Sequence, residues 1–382
     1  VPSDLWSTPE RQDLRKLVRD FTLRDIAPNM DVWERAGELP RELHAKAGEL
    51  GLLELAFPES VGGAGDYIDL AILIEELIGN GGSPGLCGSL LTHTIAAPHI
   101  AAAGEPEQVE KYVRPTLAGT KIGSLAITEP GTGSDVASVG TRAVRDGDHY
   151  IVDGAKTYIT SGARADYVTT VVRTGGPGHR GLSLLIVDTD TPGFTVGRKL
   201  EKMGCLCSDT AELSYDGVRV PVSNLVGPEN SAFAQLMTRL DGERLNLAVQ
   251  AYATAQRAYD RTVPWVRERS TFGQPLAQRQ VIRHKLAEMS RRVTVARVYV
   301  RDVLTRYVTG EPVGSEVAMA KNTAAMTCEY VVNEAVQIFG GMGYIHENEV
   351  ERLYRDSRIL TIGGGSTEIM NEVIAESLGL DN

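Results

Sequence analysis

The segment Arg239-Leu240-Asp241-Gly242-Glu243-Arg244-Leu245-Asn246-Leu247-Ala248 sits inside an apolar helical pattern that starts at Phe233 and runs through Leu236, Met237, Leu240, Leu247 and Ala251. At 100° per residue, Leu236, Leu240, Leu247 and Ala251 share a narrow stripe of one helix face, and Glu243 falls at its edge. A carboxylate on the buried side of a helix is costly unless it is paired or neutral. Burial also raises its pKa towards the range of a general base. Ion-pair networks give the same pattern, so on this segment alone a salt-bridged carboxylate and a catalytic base both stay open.

Downstream, the helical period persists. One long helix is expected from about Ser231, kinked or ended by Pro264, followed by helices over roughly 276–309, 315–339, 349–359 and 368–378. These predict a bundle of long antiparallel helices. Upstream, from Lys121 to about Gly227, short β-branched runs replace the helical period. Asp146-Gly147, Asp153-Gly154 and Asp216-Gly217 each carry a hairpin signal, and 167–173, 182–187 and 217–222 read as strands. No strand alternates with a crossover helix, which argues against a parallel dinucleotide fold and for a small barrel or sandwich.

The first third is helical again. Thr8-Pro9 offers an N-cap and a first-turn proline, and Leu14, Leu17, Val18 and Phe21 mark a face expected to end near Pro28. A second helix follows Pro40 and stops at Gly51. The glycine-rich loop 57–65 then leads into 68–78, which is apolar except for Asp69, Glu75 and Glu76, and helical patterns continue over 92–103 and 107–117. The expected fold is α+β and multidomain: an N-terminal helical domain (1–120), a central antiparallel β-barrel (121–230) and a C-terminal helical bundle (231–382).

Composition narrows the function classes. The net charge of −11, from 39 Lys plus Arg against 50 Asp plus Glu, disfavours nucleic acid and anionic membranes as partners. No apolar run approaches the ~18 residues of a membrane span, and no signal-peptide pattern opens the chain. Cys87, Cys205, Cys207 and Cys328 form no disulfide framework, and the single residue between Cys205 and Cys207 suits neither a redox dithiol nor a zinc site. No metal is expected. The expected setting is a reducing compartment, the cytoplasm or another such as a mitochondrial matrix.

Five further segments could hold a ligand. The loop Leu125-Ala126-Ile127-Thr128-Glu129-Pro130-Gly131-Thr132-Gly133-Ser134-Asp135 lets backbone N–H groups approach a flat or anionic ligand, though an ordinary turn has the same composition. It lacks the Gly-Lys-Ser/Thr of a nucleotide P-loop. In Lys156-Thr157-Tyr158-Ile159-Thr160-Ser161-Gly162, an aromatic and a hydroxyl stand two apart, expected on one strand face. Arg269-Ser270-Thr271-Phe272-Gly273-Gln274-Pro275-Leu276 places an arginine between helices, suited to a phosphate. Gln337-Ile338-Phe339-Gly340-Gly341-Met342-Gly343-Tyr344 ends a helix in glycines. Finally, Ile362-Gly363-Gly364-Gly365-Ser366-Thr367-Glu368 opens the last helix with exposed N–H groups.

Together, in this order and spacing, these segments resemble the acyl-CoA dehydrogenase family over essentially the whole chain. The resemblance implies FAD between barrel and bundle. Leu125, Ile127, Thr128, Gly133 and Ser134 would hold the isoalloxazine edge with Tyr158, Ile159 and Thr160, Tyr158 replacing a common tryptophan. Arg269, Phe272, Gln280, Gln337, Gly340 and Gly341 would hold the pyrophosphate and adenosine, partly across a subunit interface, and Ser366 and Glu368 would complete the cofactor contacts. Many members carry the catalytic glutamate where this chain has Gly364. Isovaleryl-CoA and long-chain acyl-CoA dehydrogenases instead use one in a setting like Asp241-Gly242-Glu243-Arg244-Leu245. The resemblance thus makes Glu243 the base for the α-proton, with hydride transfer to flavin N5 giving a trans-2-enoyl-CoA. Gly364 would supply a backbone N–H to the thioester oxygen. Ser134, Asp241, Arg244 and Gly365 would hold the acyl-CoA. It further implies electron-transfer flavoprotein as acceptor and a homotetramer. The alternatives are a non-catalytic partner subunit of a hetero-oligomeric dehydrogenase, and a flavin oxidase or monooxygenase on the same fold.

Overall fold

The computed structural model describes residues 5–380. The Thr8 hydroxyl accepts the Arg11 N–H and Pro9 fills the first turn of α1 (Pro9–Phe21), as the spacing predicted. Pro28 does not stop the chain there. A π-turn (Thr22–Ile26) and a 3-10 turn (Ala27–Asn29) lead into α2 (Met30–Ala36), because a proline in a first turn removes no hydrogen bond the helix needs. Next come α3 (Arg41–Glu49) and α4 (Tyr67–Gly79), the latter closed by a reciprocal Asp66–Asp69 capping box. Short helices complete the layer: α5 (Pro84–Leu90), α6 (His93–Ala96), α7 (Pro98–Ala103), α8 (Pro106–Gln108) and α9 (Arg114–Leu117).

Seven strands follow: β1 (Gly123–Ala126), β2 (Arg142–Asp146), β3 (His149–Thr160), β4 (Tyr167–Arg173), β5 (Leu182–Asp188), β6 (Phe194–Lys199) and β7 (Thr210–Pro221). They form one sheet ordered β1-β4-β2-β3-β7-β6, with β5 on β4. The central domain is therefore an open half-barrel rather than a closed antiparallel barrel, and β4 runs parallel to both β1 and β2. Of the three Asp-Gly pairs, Asp146-Gly147 makes the β2–β3 hairpin. The other two lie inside the long strands β3 and β7, where the register shifts between Val152 and Gly154. Gly217 (φ 61°) donates its N–H to the Asp153 carboxylate at 2.8 Å. A bulge needs the same left-handed glycine as a tight turn, so Asp-Gly here bends a twelve-residue strand instead of reversing it.

The bundle begins with α10 (Ala232–Glu268). It runs through Pro264 without ending, since that residue is exposed and the carbonyl it leaves unpaired can meet water. A small hairpin of β8 (Ser270–Thr271) and β9 (Gln274–Pro275) turns the chain into α11 (Gln280–Val308), and then come α12 (Gly314–Phe339), α13 (Glu349–Ser357) and α14 (Thr367–Ser377). Two reversals leave α10 and α12 parallel, and Trp265 stacks on Phe339 at 4.7 Å where both approach their C-terminal ends. The four cysteines are free thiols. Among the described residues no helix is long and apolar enough to cross a membrane.

N-terminal helices and bundle share one core, in which Ile72 and Leu77 of α4 join Leu245, Val249, Met289 and Val331. The joint is electrostatic as well. Glu75 on α4 meets Arg301 of α11 at 2.5 Å and Arg15 of α1 at 2.8 Å, and it accepts the Tyr252 hydroxyl of α10 at 2.7 Å. Burial alone would raise the Glu75 carboxyl, but Arg301 and Arg15 draw it below its ordinary value. Removing one partner of such a cluster strands the others. Glu75→Ala should cost about 3 kcal/mol, read as a lower thermal midpoint, whereas Arg19→Ala, which removes a half-exposed partner of Glu76, should cost less.

Candidate active site

The stripe singled out on α10 is buried at Leu236 and Ala251 and opens between them. Leu245, Ala248, Val249 and Tyr252 face the core, while Leu240, Glu243 and Leu247 are half-buried along its margin. That margin walls a narrow cleft shared by Tyr67 of α4, Ile95 and His99 of the α6–α7 segment, Leu125 and Ile127 around β1, and Leu240 and Glu243. Gly242 makes the close approach possible, since a Cβ there would lie 2.6 Å from the Tyr67 hydroxyl. Tyr67 is held edge-on by Tyr307 at 5.2 Å. Burial pushes His99 down to about 4, so it is neutral at pH 7, and its buried Nδ1 has no hydrogen-bond partner among the described residues.

Glu243 is the acid of this cleft. Burial raises its pKa, against the pull of Arg244 and Lys321. Asp241 is raised too, by burial, and Arg244 offsets this across 3.5 Å. Opposite Glu243 runs the loop 363–365. A Cβ at Gly364 (φ 65°) would stand 3.8 Å from a Glu243 carboxylate oxygen and 2.5 Å from Leu247 Cδ1. The N–H groups of Ile362 and Gly363 go to the Ile359 carbonyl, whereas that of Gly364 has no partner among the described residues. Arg244 Nε donates to the Gly364 carbonyl at 3.3 Å, and the buried Lys321 donates to the Gly365 carbonyl. A carboxylate of raised pKa thus faces an unused backbone donor, a pairing suited to removing a proton beside a carbonyl.

The other flank of the cleft is the loop 125–135. The Glu129 carboxylate accepts N–H groups from Gly140 (2.7 Å) and Thr141 (2.8 Å) and pairs with the fully buried Lys156 at 2.8 Å. This ties the loop to β3, as does the Thr157 N–H donated to the Thr128 carbonyl at 2.9 Å. The register of β3 against β7 slips between Lys156 and Ile159, and Tyr158 takes φ 60°. Tyr158 and Thr160 are therefore not simple same-face neighbours. The bulge displays the Tyr158 ring, 69% exposed, while the Ile159 side chain lies in the β core and its carbonyl accepts the Gly162 N–H. Gly133 and Ser134 are exposed, and the Thr128 and Thr160 hydroxyls make no hydrogen bond among the described residues. Free hydroxyls, an exposed ring and open glycine backbone fit a planar heterocycle.

The remaining candidates lie elsewhere. Arg269, Phe272, Gln280, Gln337, Gly340 and Gly341 are all exposed, at the far end of the bundle. Helix α10 is continuous from Glu243 to Glu268, which puts Arg269 ~39 Å along its axis from Glu243 at 1.5 Å per residue. Phe272 stands 97% exposed at the tip of the β8–β9 hairpin. Ser366 caps α14 by accepting the Ile369 N–H, and Glu368 is exposed on its first turn. Sequence reasoning missed Tyr67, His99 and Lys321. Of these, Lys321 left a signal: it interrupts an α12 face that otherwise carries Val317, Ala318, Ala320, Ala324 and Cys328.

Comparison with known proteins decides the family. The acyl-CoA dehydrogenase N-terminal, middle and C-terminal domain models match residues 8–120, 124–218 and 230–379. The chain belongs to the acyl-CoA dehydrogenase family. A protein named "Probable acyl-CoA dehydrogenase YngJ" from Bacillus subtilis is 39% identical over 374 residues, 97% of this chain and 98% of that one. The mitochondrial long-chain specific acyl-CoA dehydrogenase of Mus musculus is 38% identical, over 98% of this chain and 87% of that one. The crystal structure of a probable acyl CoA dehydrogenase from Mycobacterium abscessus superposes with a TM-score of 0.97 at 62% identity, covering 98% of this chain and all of that one. This acyl-CoA dehydrogenase is accordingly an oxidoreductase of an FAD-dependent family acting on acyl-CoA.

The raised pKa of Glu243 carries a sign for stability. The folded state holds this proton more tightly than the unfolded chain, so ionised Glu243 destabilises the fold above its raised pKa. That penalty fades as pH falls to the unfolded carboxyl value. Glu243→Gln should therefore raise the thermal midpoint at pH 7–8, with the gain vanishing towards pH 4.

Proposed function

We propose that this acyl-CoA dehydrogenase oxidises an acyl-CoA thioester to the trans-2-enoyl-CoA with Glu243 as the α-proton base. The observation that carries this reading is the half-buried Glu243 carboxyl, set against the unpartnered Gly364 N–H in a cleft that reaches Leu125 and Ile127. Desolvation makes the carboxylate a stronger base than it is in water, and the Gly364 N–H stabilises negative charge as it grows on the thioester oxygen. Arg244 and Asp241 orient the substrate beside the base, and Ser134 and Gly365 border its path. FAD, when bound, supplies the hydride acceptor at N5. Thr128, Thr160 and the Tyr158 ring, with the open backbone of 125–134, would hold its ring system.

The pyrophosphate and adenosine groups would meet Arg269, Phe272, Gln280, Gln337, Gly340 and Gly341, with Ser366 and Glu368 completing the contacts. The ~39 Å between Glu243 and Arg269 is too far for one cofactor to bridge within a chain. A homotetramer in which a neighbouring subunit lends the far set resolves the gap. Electron-transfer flavoprotein is the proposed electron acceptor. The intact Glu243, Arg244 and Arg269 favour this reading over a non-catalytic partner subunit. An oxidase or monooxygenase would react fast with oxygen once reduced and would not require a CoA thioester.

Two outcomes test the base. With a panel of acyl-CoAs and an artificial electron acceptor, Glu243→Gln should keep FAD absorbance and lose turnover by about 10³-fold or more; near-normal rates would overturn the assignment. Moving the acid is the second test. Glu243→Gly with Gly364→Glu places a carboxyl in the same space, yet the left-handed φ and the Leu247 contact oppose it. Recovery of flavin reduction should therefore improve when Leu247→Ala is added.

A further inference from the structure

Lys321 is a buried charge that the proposed chemistry leaves unused. Only 1% exposed on α12, it lies among alanines and valines that a methionine of similar length would suit better. Its ammonium donates to one backbone carbonyl, that of Gly365, and no carboxylate pairs with it among the described residues. Burial and then the neighbouring Arg244 lower its pKa, against the opposite pull of Glu243, to about 8. Taking an ammonium out of water beside a second cation is unfavourable unless the charge has work to do nearby.

Two groups share the resulting field. Glu243 faces Arg244 on its own helix, Lys321 from α12 and the Tyr67 hydroxyl from α4, and shares its cleft with Arg239 of α10 and the neutral His99 of α7. Lys321 faces Arg244 and Glu243 of α10, and the loop between them, Gly363-Gly364-Gly365, has no side chain to titrate. Arg244 and Lys321 grip successive carbonyls of that loop, Gly364 from one side and Gly365 from the other. Three glycines hold no conformation of their own, so this double grip sets where the free Gly364 N–H stands.

We propose that Lys321 is a positioning residue for the dehydrogenation: through the Gly365 carbonyl it fixes the loop whose Gly364 N–H faces Glu243, and its charge keeps Glu243 ionisable in a desolvated cleft. The inference rests on Glu243 being the base. Without Lys321, the loop loses one of its two grips and the carboxyl loses one of its two nearby cations. The proton affinity of Glu243 then rises.

The test compares Lys321→Met and Lys321→Arg with wild type as FAD-loaded proteins. In Lys321→Met, kcat should fall at least roughly tenfold, and the acid limb of kcat/KM should move up by about half a pH unit or more. Lys321→Arg keeps a cation and a donor, so its acid limb should stay at the wild-type pH. A second readout needs no turnover. The neutral-pH gain in thermal midpoint from Glu243→Gln should be larger in a Lys321→Met background than in wild type, because the ionised carboxylate is then more costly. An unmoved acid limb and an unchanged gain in Lys321→Met would overturn the inference, leaving Lys321 a packing clamp. Should Lys321→Met fail to fold, an acid limb displaced in Lys321→Arg would overturn it equally. Normal turnover by Glu243→Gln, in contrast, would refute the base assignment itself.

Discussion

Everything in this enzyme is arranged around a carboxylate kept from water next to a strip of bare backbone. Glu243 cannot reach that position by local structure alone. It needs α10 to present one face to the core and its margin to a cleft, α4 to bring Tyr67 over Gly242, and the loop before α14 to fold back beneath it. An ionised carboxylate in such a place costs stability, and the fold offsets that cost with Arg244 and Lys321 while leaving the acid's proton affinity high. The sharing of one core by N-terminal helices and bundle follows from this need, because the cleft is a seam between them and would be lost if they moved apart.

The glycines of the site answer to the same geometry. At 242 a side chain would strike Tyr67, and at 364 it would enter the space in front of Glu243. Under the proposed mechanism, the second case explains why one chain would not carry the acid at both places. A glutamate at 364 and one at 243 would crowd like charges into one pocket, each raising the other's pKa. In the proposed mechanism the carboxyl lies on α10 and the loop contributes only what needs no side chain, the N–H.

Much of this was legible in the sequence because periodicity survives folding. The helical stripe on 233–251, the change of period near 121 and the cap at Thr8 depend on local physics, and the observed elements follow them closely. The errors arose where one local signal serves two structures. Asp-Gly marks any left-handed corner, so two of the three pairs became bulges inside long strands rather than hairpin turns. At Pro264 a kink and an end were both open, and α10 does not end there because the residue is exposed and the carbonyl it leaves unpaired can meet water. Tyr158 and Thr160 were expected on a common strand face, but an unpredictable slip of register redirects the ring outward. Tyr67, His99 and Lys321 come from three separate helices and meet Glu243 only through tertiary packing, which no spacing rule reaches. The distant set around Arg269 is the opposite case: its residue types advertise phosphate binding, yet one chain does not bring it to the cleft.

In the proposed mechanism, position 243 removes a proton from the carbon beside a thioester. That step can be isolated from electron transfer with an acyl-CoA that has α-hydrogens and no β-hydrogen, so that no hydride can leave. Incubated in D2O with the FAD-loaded enzyme, such a thioester should exchange its α-hydrogen for deuterium, faster as pH rises through the Glu243 pKa, and Glu243→Gln should reduce the exchange to the uncatalysed rate. Exchange at the wild-type rate in Glu243→Gln would contradict the central claim and move the base to another side chain.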